Sequence, residues 1–335
     1  MSDTLSKLLL DWFAQNGRDL PWRVKGGAHF VPYVVFVSEI MLQQTTVQTV
    51  IPYFYRFMER FPDIYTLAQA DEDQVYQYWQ GLGYYSRARS LLQSAKMIVG
   101  QLHGKFPQTT KEVQKLKGFG PYTIASFLVF AFNKPETVVD GNVIRIICRM
   151  FDLRQPVSEI GDLIRQKAAA LTDQNNPADY ASAIMDLGAL ICTPKKPQCM
   201  LCPWRQYCCS CNAADVEQIP ARTKIAKKTM DAFVYIVQNA QGEYLLRKRD
   251  GKGLLSGLYE FPWSEKADFF AHAVHTDLTV KHTFTHIQMT MHIMLAHSEQ
   301  AAVQGFFVSK DKIQDYALST LMKKVLQKAE KIASK

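Results

Sequence analysis

Four cysteines and two carboxylates carry the chemistry this chain could perform. Cys192, Cys199, Cys202 and Cys208 are separated by six, two and five residues, with Pro194, Pro197 and Pro203 bending the backbone between them. Four thiolates this close can converge on one inorganic centre. Zinc asks for tetrahedral thiolates, usually from two Cys-x-x-Cys knuckles set further apart. These four contain a single Cys-x-x-Cys, and the outer spacings do not suit paired knuckles. A cubane 4Fe–4S cluster accepts four cysteines from one short loop more naturally, so one such cluster is expected. Cys209 and Cys211 are surplus to that set, and Cys148 reads as an inert core thiol.

The carboxylates are Glu39 and Asp140. Glu39 lies in a nearly unbroken apolar helical run from Tyr33, where desolvation should raise its pKa and keep a proton available. Asp140 is placed as the N-cap of a helix from Gly141 to Met150, and the amides it caps should hold it ionised. A protonated acid beside an anion suits the breaking of a glycosidic bond through an oxocarbenium-like transition state. Taken singly, two plainer readings stay open: a partly solvated Glu39, and an Asp140 that only caps.

The elements that must position these groups follow from local signals. In Leu116 to Thr123, L-K-G-F-G-P-Y-T, Gly118 and Gly120 permit a tight turn with positive φ, and Pro121 suits the first position of the next helix. Exposed amides feeding a helix N-terminus make an anion site, and DNA phosphate is the expected anion. Asp71 with Gln74, and Thr109 with Glu112, form capping-box patterns. Helical spacing then accounts for most of the chain to about Cys211. Residues 212–230 are polar and basic and read as a linker. Beyond it, Ala232 to Val237 and Tyr244 to Arg249 flank Asn239-Ala240-Gln241-Gly242 as a hairpin. Residues 287–295 alternate as a strand, and Lys323 to Ala333 closes as a helix.

The 335 residues carry a formal net charge of +8, which favours a polyanionic partner. No apolar run reaches the ~18 residues that would span a bilayer. The N-terminus shows no signal-peptide pattern, so a soluble, intracellular (cytoplasmic) protein is expected, nucleoid-associated where its polyanionic partner is DNA. The expected architecture is multi-domain. An all-α catalytic domain fills residues 1–211, with a helix-hairpin-helix near 111–131 and an iron–sulfur loop at 192–208. After the linker comes an α+β domain, residues 231–335, on a mostly antiparallel sheet.

Taken together, L-P-W-R, S-E-I-M-L-Q-Q-T, G-L-G-Y-Y-S-R-A-R, L-K-G-F-G-P-Y-T, V-V-D-G-N-V-I-R, the four-cysteine loop, G-L-L-S-G-L-Y-E-F-P and F-T-H make the chain resemble the MutY-type adenine DNA glycosylases. These belong to the helix-hairpin-helix superfamily that also contains endonuclease III. The resemblance implies hydrolytic removal of adenine mispaired with 8-oxoguanine or guanine in double-stranded DNA, by a monomer acting on a flipped base. It implies that Glu39 protonates the adenine ring and Asp140 stabilises the sugar cation. Asn142 and Tyr122 would support the sugar and Asp140. Gln44 and Tyr84 would fill or wedge the base stack, against plain helix capping for Gln44 and core packing for Tyr84. Gly118, Gly120 and Thr123 would grip phosphate. Lyase members of the superfamily carry a Lys where this chain has Tyr122, which cannot form a Schiff base; a monofunctional enzyme is expected.

The C-terminal domain resembles the MutT/Nudix-like module of the family. G-L-L-S-G-L-Y-E-F-P is followed by no metal-holding acidic run, so pyrophosphohydrolase activity is not expected. Recognition of 8-oxoguanine would fall to Phe284, Thr285 and His286. Many relatives have Ser at the position of Thr285, the loop Val24 to Val31 is longer than usual, and Phe36 replaces a common Trp. Two rival readings stand beside this one: an endonuclease III-like glycosylase/lyase acting on oxidised pyrimidines, and a non-catalytic DNA-binding iron–sulfur protein.

Overall fold

Apolar stripes at helical spacing build the first part of the chain. The computed structural model describes residues 2–23, 31–221, 227–250, 253–267, 269–270, 272–300 and 304–333, so most of the loop at Val24 to Val31 lies outside the described residues. The helices are α1 (Ser2–Asn16), α2 (Pro32–Leu42), α3 (Val47–Arg60), α4 (Ile64–Gln69), α5 (Glu72–Trp79) and α6 (Ser86–Leu102). They continue with α7 (Thr110–Val113), α8 (Pro121–Phe132), α9 (Gly141–Met150), α10 (Val157–Leu171) and α11 (Pro177–Leu190). Among the described residues, no helix is long and apolar enough to cross a membrane.

Two compact units emerge. The first comprises Met1–Ala68 and Gln93–Lys224; the second comprises Gln69–Leu92 and Ile225–Lys335. The segment around α5 thus groups with C-terminal residues.

In the first unit, Leu5, Leu9, Ile146, Ile147, Ala183 and Leu187 pack α1, α9 and α11 around one core. Beneath the glycine turn, Phe119 stacks on Phe36 at 5.9 Å and meets Phe127 edge-on at 5.6 Å. The Phe at position 36 therefore serves as the floor of that turn. Capping is as the side chains dictate. Asp71 and Gln74 close a complete capping box at α5, and Thr109 accepts from the Glu112 amide at α7.

The second unit adds β1 (Lys228–Gln238), β2 (Tyr244–Lys248), β3 (Tyr259–Glu260), β4 (Trp263–Ser264), β5 (Val274–Thr283), β6 (Ile287–His297), β7 (Phe306–Val308) and α12 (Thr320–Ala333). The sheet runs β3-β2-β1-β6-β5, with β4 on β1 and β7 on β2. Among the described residues, every pairing between these strands is antiparallel except the long parallel one between β1 and β6. Strand alternation sends Met289, Met291 and Ile293 into one core with Leu321, Met322 and Val325 of α12. Met294 and Ala296 face a second core on the other side of the sheet.

Candidate active site and iron–sulfur loop

Helix α2 is apolar almost all round, so it buries its polar exceptions with the rest. Glu39 is one of them, with 6% of its surface exposed. Burial pushes its pKa up to about 7; the Ser126 hydroxyl and Arg23 pull it down, and the charge of Asp140 pushes it further up. It lines a cavity with apolar walls from Leu20, Trp22, Leu42 and Phe130 and polar groups from Tyr122 and Ser182. Burial, then the charges of Glu39 and Asp140, raise the Tyr122 pKa far above its ordinary value, so the phenol stays neutral and keeps its proton. Glu39, Tyr122 and Asp140 are thus brought into one electrostatic neighbourhood.

Asp140 caps α9 as its sequence position requires, accepting from Val143 N at 2.8 Å. Its other oxygen accepts from Asn142 Nδ2 at 2.8 Å. Asn142 is held in turn by Arg145, whose Nη2 donates to Asn142 Oδ1 at 2.8 Å and to the Gly188 carbonyl at 2.7 Å. Gly188 has no side chain for a steric reason: a Cβ there would stand 2.5 Å from that of Asn142.

A second buried charge system shapes the same cavity. Asp186 on α11 is fully buried and takes bonds from Arg18 Nε and from Arg23 Nη1 and Nη2, each within 2.9 Å. Burial alone would raise its pKa, but the two guanidiniums hold the carboxylate below its ordinary value. Arg18 and Arg23 bracket the L-P-W motif and reach the pocket beside Glu39.

The glycine turn differs from expectation in one respect. Gly118 adopts φ 80, but Gly120 is extended at φ −83 because it serves as the N-cap of α8, a position that needs β-region backbone. Nothing lies within 4 Å of where a Cβ would stand, so the backbone at Gly120 is open on that side. Pro121 opens α8 as expected. Thr123 is buried, and Gln43 donates to its Oγ1 at 2.9 Å and to the Gly118 carbonyl at 3.1 Å. Gln44 is exposed, with the left-handed φ of 56.

Cys192, Cys199, Cys202 and Cys208 line one cavity, with Arg149 in its wall. Burial raises the thiol pKa of Cys202 to about 12 and of Cys208 to about 11. Bare thiolates are therefore costly here, and a group that supplies positive charge is what they fit. Among the described residues no set of three or more His, Cys, Asp or Glu converges closely enough for a single ion. The loop is fixed from outside: Trp204 is buried with Nε1 donating to the Leu5 carbonyl at 2.8 Å, and Arg149 donates to Thr193 O at 2.7 Å and contacts Cys192 Sγ at 3.5 Å.

Residues 37–167 match the HhH-GPD superfamily base excision DNA repair protein model. Residues 192–208 match the iron–sulfur binding domain of endonuclease III, and residues 233–328 a NUDIX domain. The adenine DNA glycosylase of Homo sapiens is 32% identical over 398 residues, covering 95% of this chain and 72% of that one. The adenine DNA glycosylase of Arabidopsis thaliana is 38% identical over 301 residues, covering 78% of this chain but 48% of its own length. Among solved structures, a thermostable thymine-DNA glycosylase superposes with a TM-score of 0.56 at 26% identity, over 62% of this chain and 95% of that one.

The chain belongs to the adenine DNA glycosylase family. It is a base-excision DNA glycosylase, a hydrolase of N-glycosyl bonds, and its cysteine loop carries one 4Fe–4S cluster.

The second unit of this glycosylase holds its own cavity of about 570 Å³, lined by Tyr84, Arg89, Ser256, His282 and the turn Phe284, Thr285 and His286. That turn is the tip of the β5–β6 hairpin, closed by Phe284 N donating to the Ile287 carbonyl at 2.7 Å. Thr285 and His286 are exposed, while Phe284 packs against the sheet core. Tyr84, 45% exposed, shares a 2.7 Å hydrogen bond between its hydroxyl and Thr285 Oγ1. Its φ of 48 is left-handed, and Arg87 lies beneath its ring at 5.3 Å while donating to the Gly83 carbonyl at 3.1 Å. Glu260, the acid of G-L-L-S-G-L-Y-E-F-P, is fully engaged. Arg247 and Arg249 pair with it, and Trp263 Nε1 donates to it at 2.7 Å. Arg18, Ser126, Ser182 and Asp186 are neighbours of the candidate site that lie outside the quoted motifs, whereas Arg23 and Arg145 lie inside L-P-W-R and V-V-D-G-N-V-I-R without a role read for them.

Proposed function

We propose that this glycosylase removes adenine mispaired with 8-oxoguanine or guanine in double-stranded DNA, as a monofunctional monomer that leaves an abasic site in an uncut strand. The observation that carries this reading is Glu39, a buried carboxyl with its pKa raised to about 7, in the wall of a cavity that also contains Tyr122. A flipped adenine is flat and largely apolar. Leu20, Trp22 and Phe130 offer it matching walls, with polar groups confined to a few points.

Within that pocket the neutral Glu39 carboxyl donates its proton to a ring nitrogen of adenine. The C1′–N9 bond breaks with its electron pair going to the base, and the sugar is left as a cation. Asp140, carrying its negative charge at the capped start of α9, stabilises that cation until water adds and restores a proton to solvent or to Glu39. Asn142 fixes one carboxylate oxygen of Asp140 and the Val143 amide the other, and the remaining lone pairs of both would face the sugar. Tyr122, neutral, fills the position where an amine would otherwise attack C1′. Gly118 and the amides above Gly120 would grip phosphate, Gln44 and Tyr84 would enter the stack, and the Phe284–His286 turn would meet 8-oxoguanine. The cluster, bound by Cys192, Cys199, Cys202 and Cys208, supplies a four-point tie that holds residues 192–208 in shape.

A panel of duplexes containing A:8-oxoguanine, A:G, A:T and oxidised pyrimidines tests the assignment. Adenine should be released from the first two, and strand breaks should appear only after alkali. Nicking without alkali would indicate the endonuclease III-like reading, which the absence of Lys at position 122 opposes. Base release that survives Glu39→Gln would show that the acid is another group.

A further inference from the structure

Two Cys-x-x-Cys pairs, not one, face the cluster cavity. Cys199-Met200-Leu201-Cys202 supplies two of the four ligands, and Cys208-Cys209-Ser210-Cys211 repeats its spacing. The two segments also repeat its geometry. Cys202 N donates to the Cys199 carbonyl at 3.2 Å, and Cys211 N donates to the Cys208 carbonyl at 3.2 Å. Such an i to i+3 closure brings the end residues together. Cys211 lines the cavity together with Cys192, Cys199, Cys202 and Cys208, whereas Cys209 is exposed. The second turn is also pinned. Cys209 N donates to the Met150 carbonyl at 3.0 Å, Ser210 N to the Arg149 carbonyl at 3.1 Å, and Ser210 Oγ to Asp152 at 3.0 Å. The endonuclease III-type match ends at residue 208 and leaves Cys211 without a role.

We propose that Cys211 is an exchangeable fourth ligand of the iron–sulfur cluster, able to take the position of Cys208. The exchange is redox-neutral. The bond from iron to Cys208 sulfur breaks as the Cys211 thiolate bonds the same iron, and the proton released by Cys211 passes to Cys208. The cluster is thus held by Cys192, Cys199, Cys202 and either end of the second turn. An attack on Cys208 that would strip an iron from a four-cysteine loop is countered by a thiol already facing the vacancy. This inference concerns the cluster loop and does not depend on which base is released.

The test uses the full-length holoprotein, reading iron content, visible absorption and thiol accessibility. Alanine replaces cysteine because a serine oxygen can itself bind iron. Cys208→Ala should keep its colour and full iron, and C208A/C211A should lose both; a colourless C208A, or a double variant that keeps its cluster, overturns the proposal. Alkylation by iodoacetamide, located by mass spectrometry, should mark Cys209 in every variant. Cys211 should be marked in the parent protein and protected in C208A, and its modification in C208A counts against exchange. Cys211→Ala retains all four family ligands, so it keeps the test decisive even where C208A fails to fold. Under a chelator with mild oxidant, C211A should lose iron several-fold faster than the parent, and an equal rate refutes the idea.

Discussion

Arg145 Nε donates a 2.7 Å hydrogen bond to the carbonyl oxygen of Cys192. The same guanidinium holds Asn142, and Asn142 holds Asp140. The first cysteine of the cluster loop is thereby joined to the carboxylate assigned to the sugar cation through two side chains. Arg145→Met should leave Asp140 in its cap but free Asn142 to rotate. Outer-shell partners of this kind are worth about 10–100-fold. Single-turnover adenine release should fall by that factor while binding of the mispaired duplex persists. Asn142→Ala should fall similarly, and the double variant no further, because both act through one carboxylate. Gly188→Ala should reproduce part of the loss by pushing Asn142 aside.

Glu39 sets the pH dependence. Its folded pKa of about 7 lies above the ordinary 4.5, so the folded state keeps the proton longer than the unfolded chain. Between those values stability falls as pH rises, by at most about 3 kcal/mol, and above about 7 the loss is complete. Glu39→Gln carries no such penalty. Its Tm should exceed that of the parent near pH 8 and match it below 4.5. Catalysis follows the acid form, so single-turnover release should decline about tenfold per unit above the Glu39 pKa.

Asp140 is legible in the sequence because a cap is a local signal, and Glu39 because a lone acid in an apolar run has nowhere wet to go. The cysteine loop declares itself by spacing. What stays hidden is set by contacts distant in sequence. Asp186 meets Arg18 and Arg23 across more than 160 residues. The parallel pairing of β1 with β6 joins two strands whose alternation shows a face but no partner. Strand β5, rich in Thr, His and Lys, lacks the alternation that marks β6. In Q-Q-T the exposed Gln44 and the inward Gln43 are the same residue type, and only the turn after α2 separates their roles.

Asp186→Asn removes the charge that both arginines share. Arg18 and Arg23 would then remain beside the pocket with one neutral amide between them. Breaking a buried pair in this way costs about 3–5 kcal/mol. The denaturation midpoint should drop accordingly. The freed guanidiniums, closer in effect to Glu39, should also lower its pKa and shift the pH profile of base release to the acid side.

Tyr84 and Thr285 make the sharpest test of recognition in the second unit, because their hydroxyls meet at 2.7 Å within one cavity. Tyr84→Phe keeps the ring over Arg87 and the backbone at its left-handed φ, and removes only the hydroxyl. A neutral hydrogen bond is worth about 1 kcal/mol, or roughly 5-fold. Release of adenine opposite 8-oxoguanine should fall by about that factor, with little change opposite guanine, narrowing the preference between them. Tyr84→Gly also relieves the strained φ, which costs a non-glycine residue on the order of 1 kcal/mol, yet it deletes the ring. It should fold less stably than Tyr84→Phe, because the lost ring contacts and the freer unfolded chain outweigh that relief, and it should release adenine more slowly from both mispairs. If the two variants prove equally active, the ring has no part in opening the stack, and Tyr84 serves only to position Thr285.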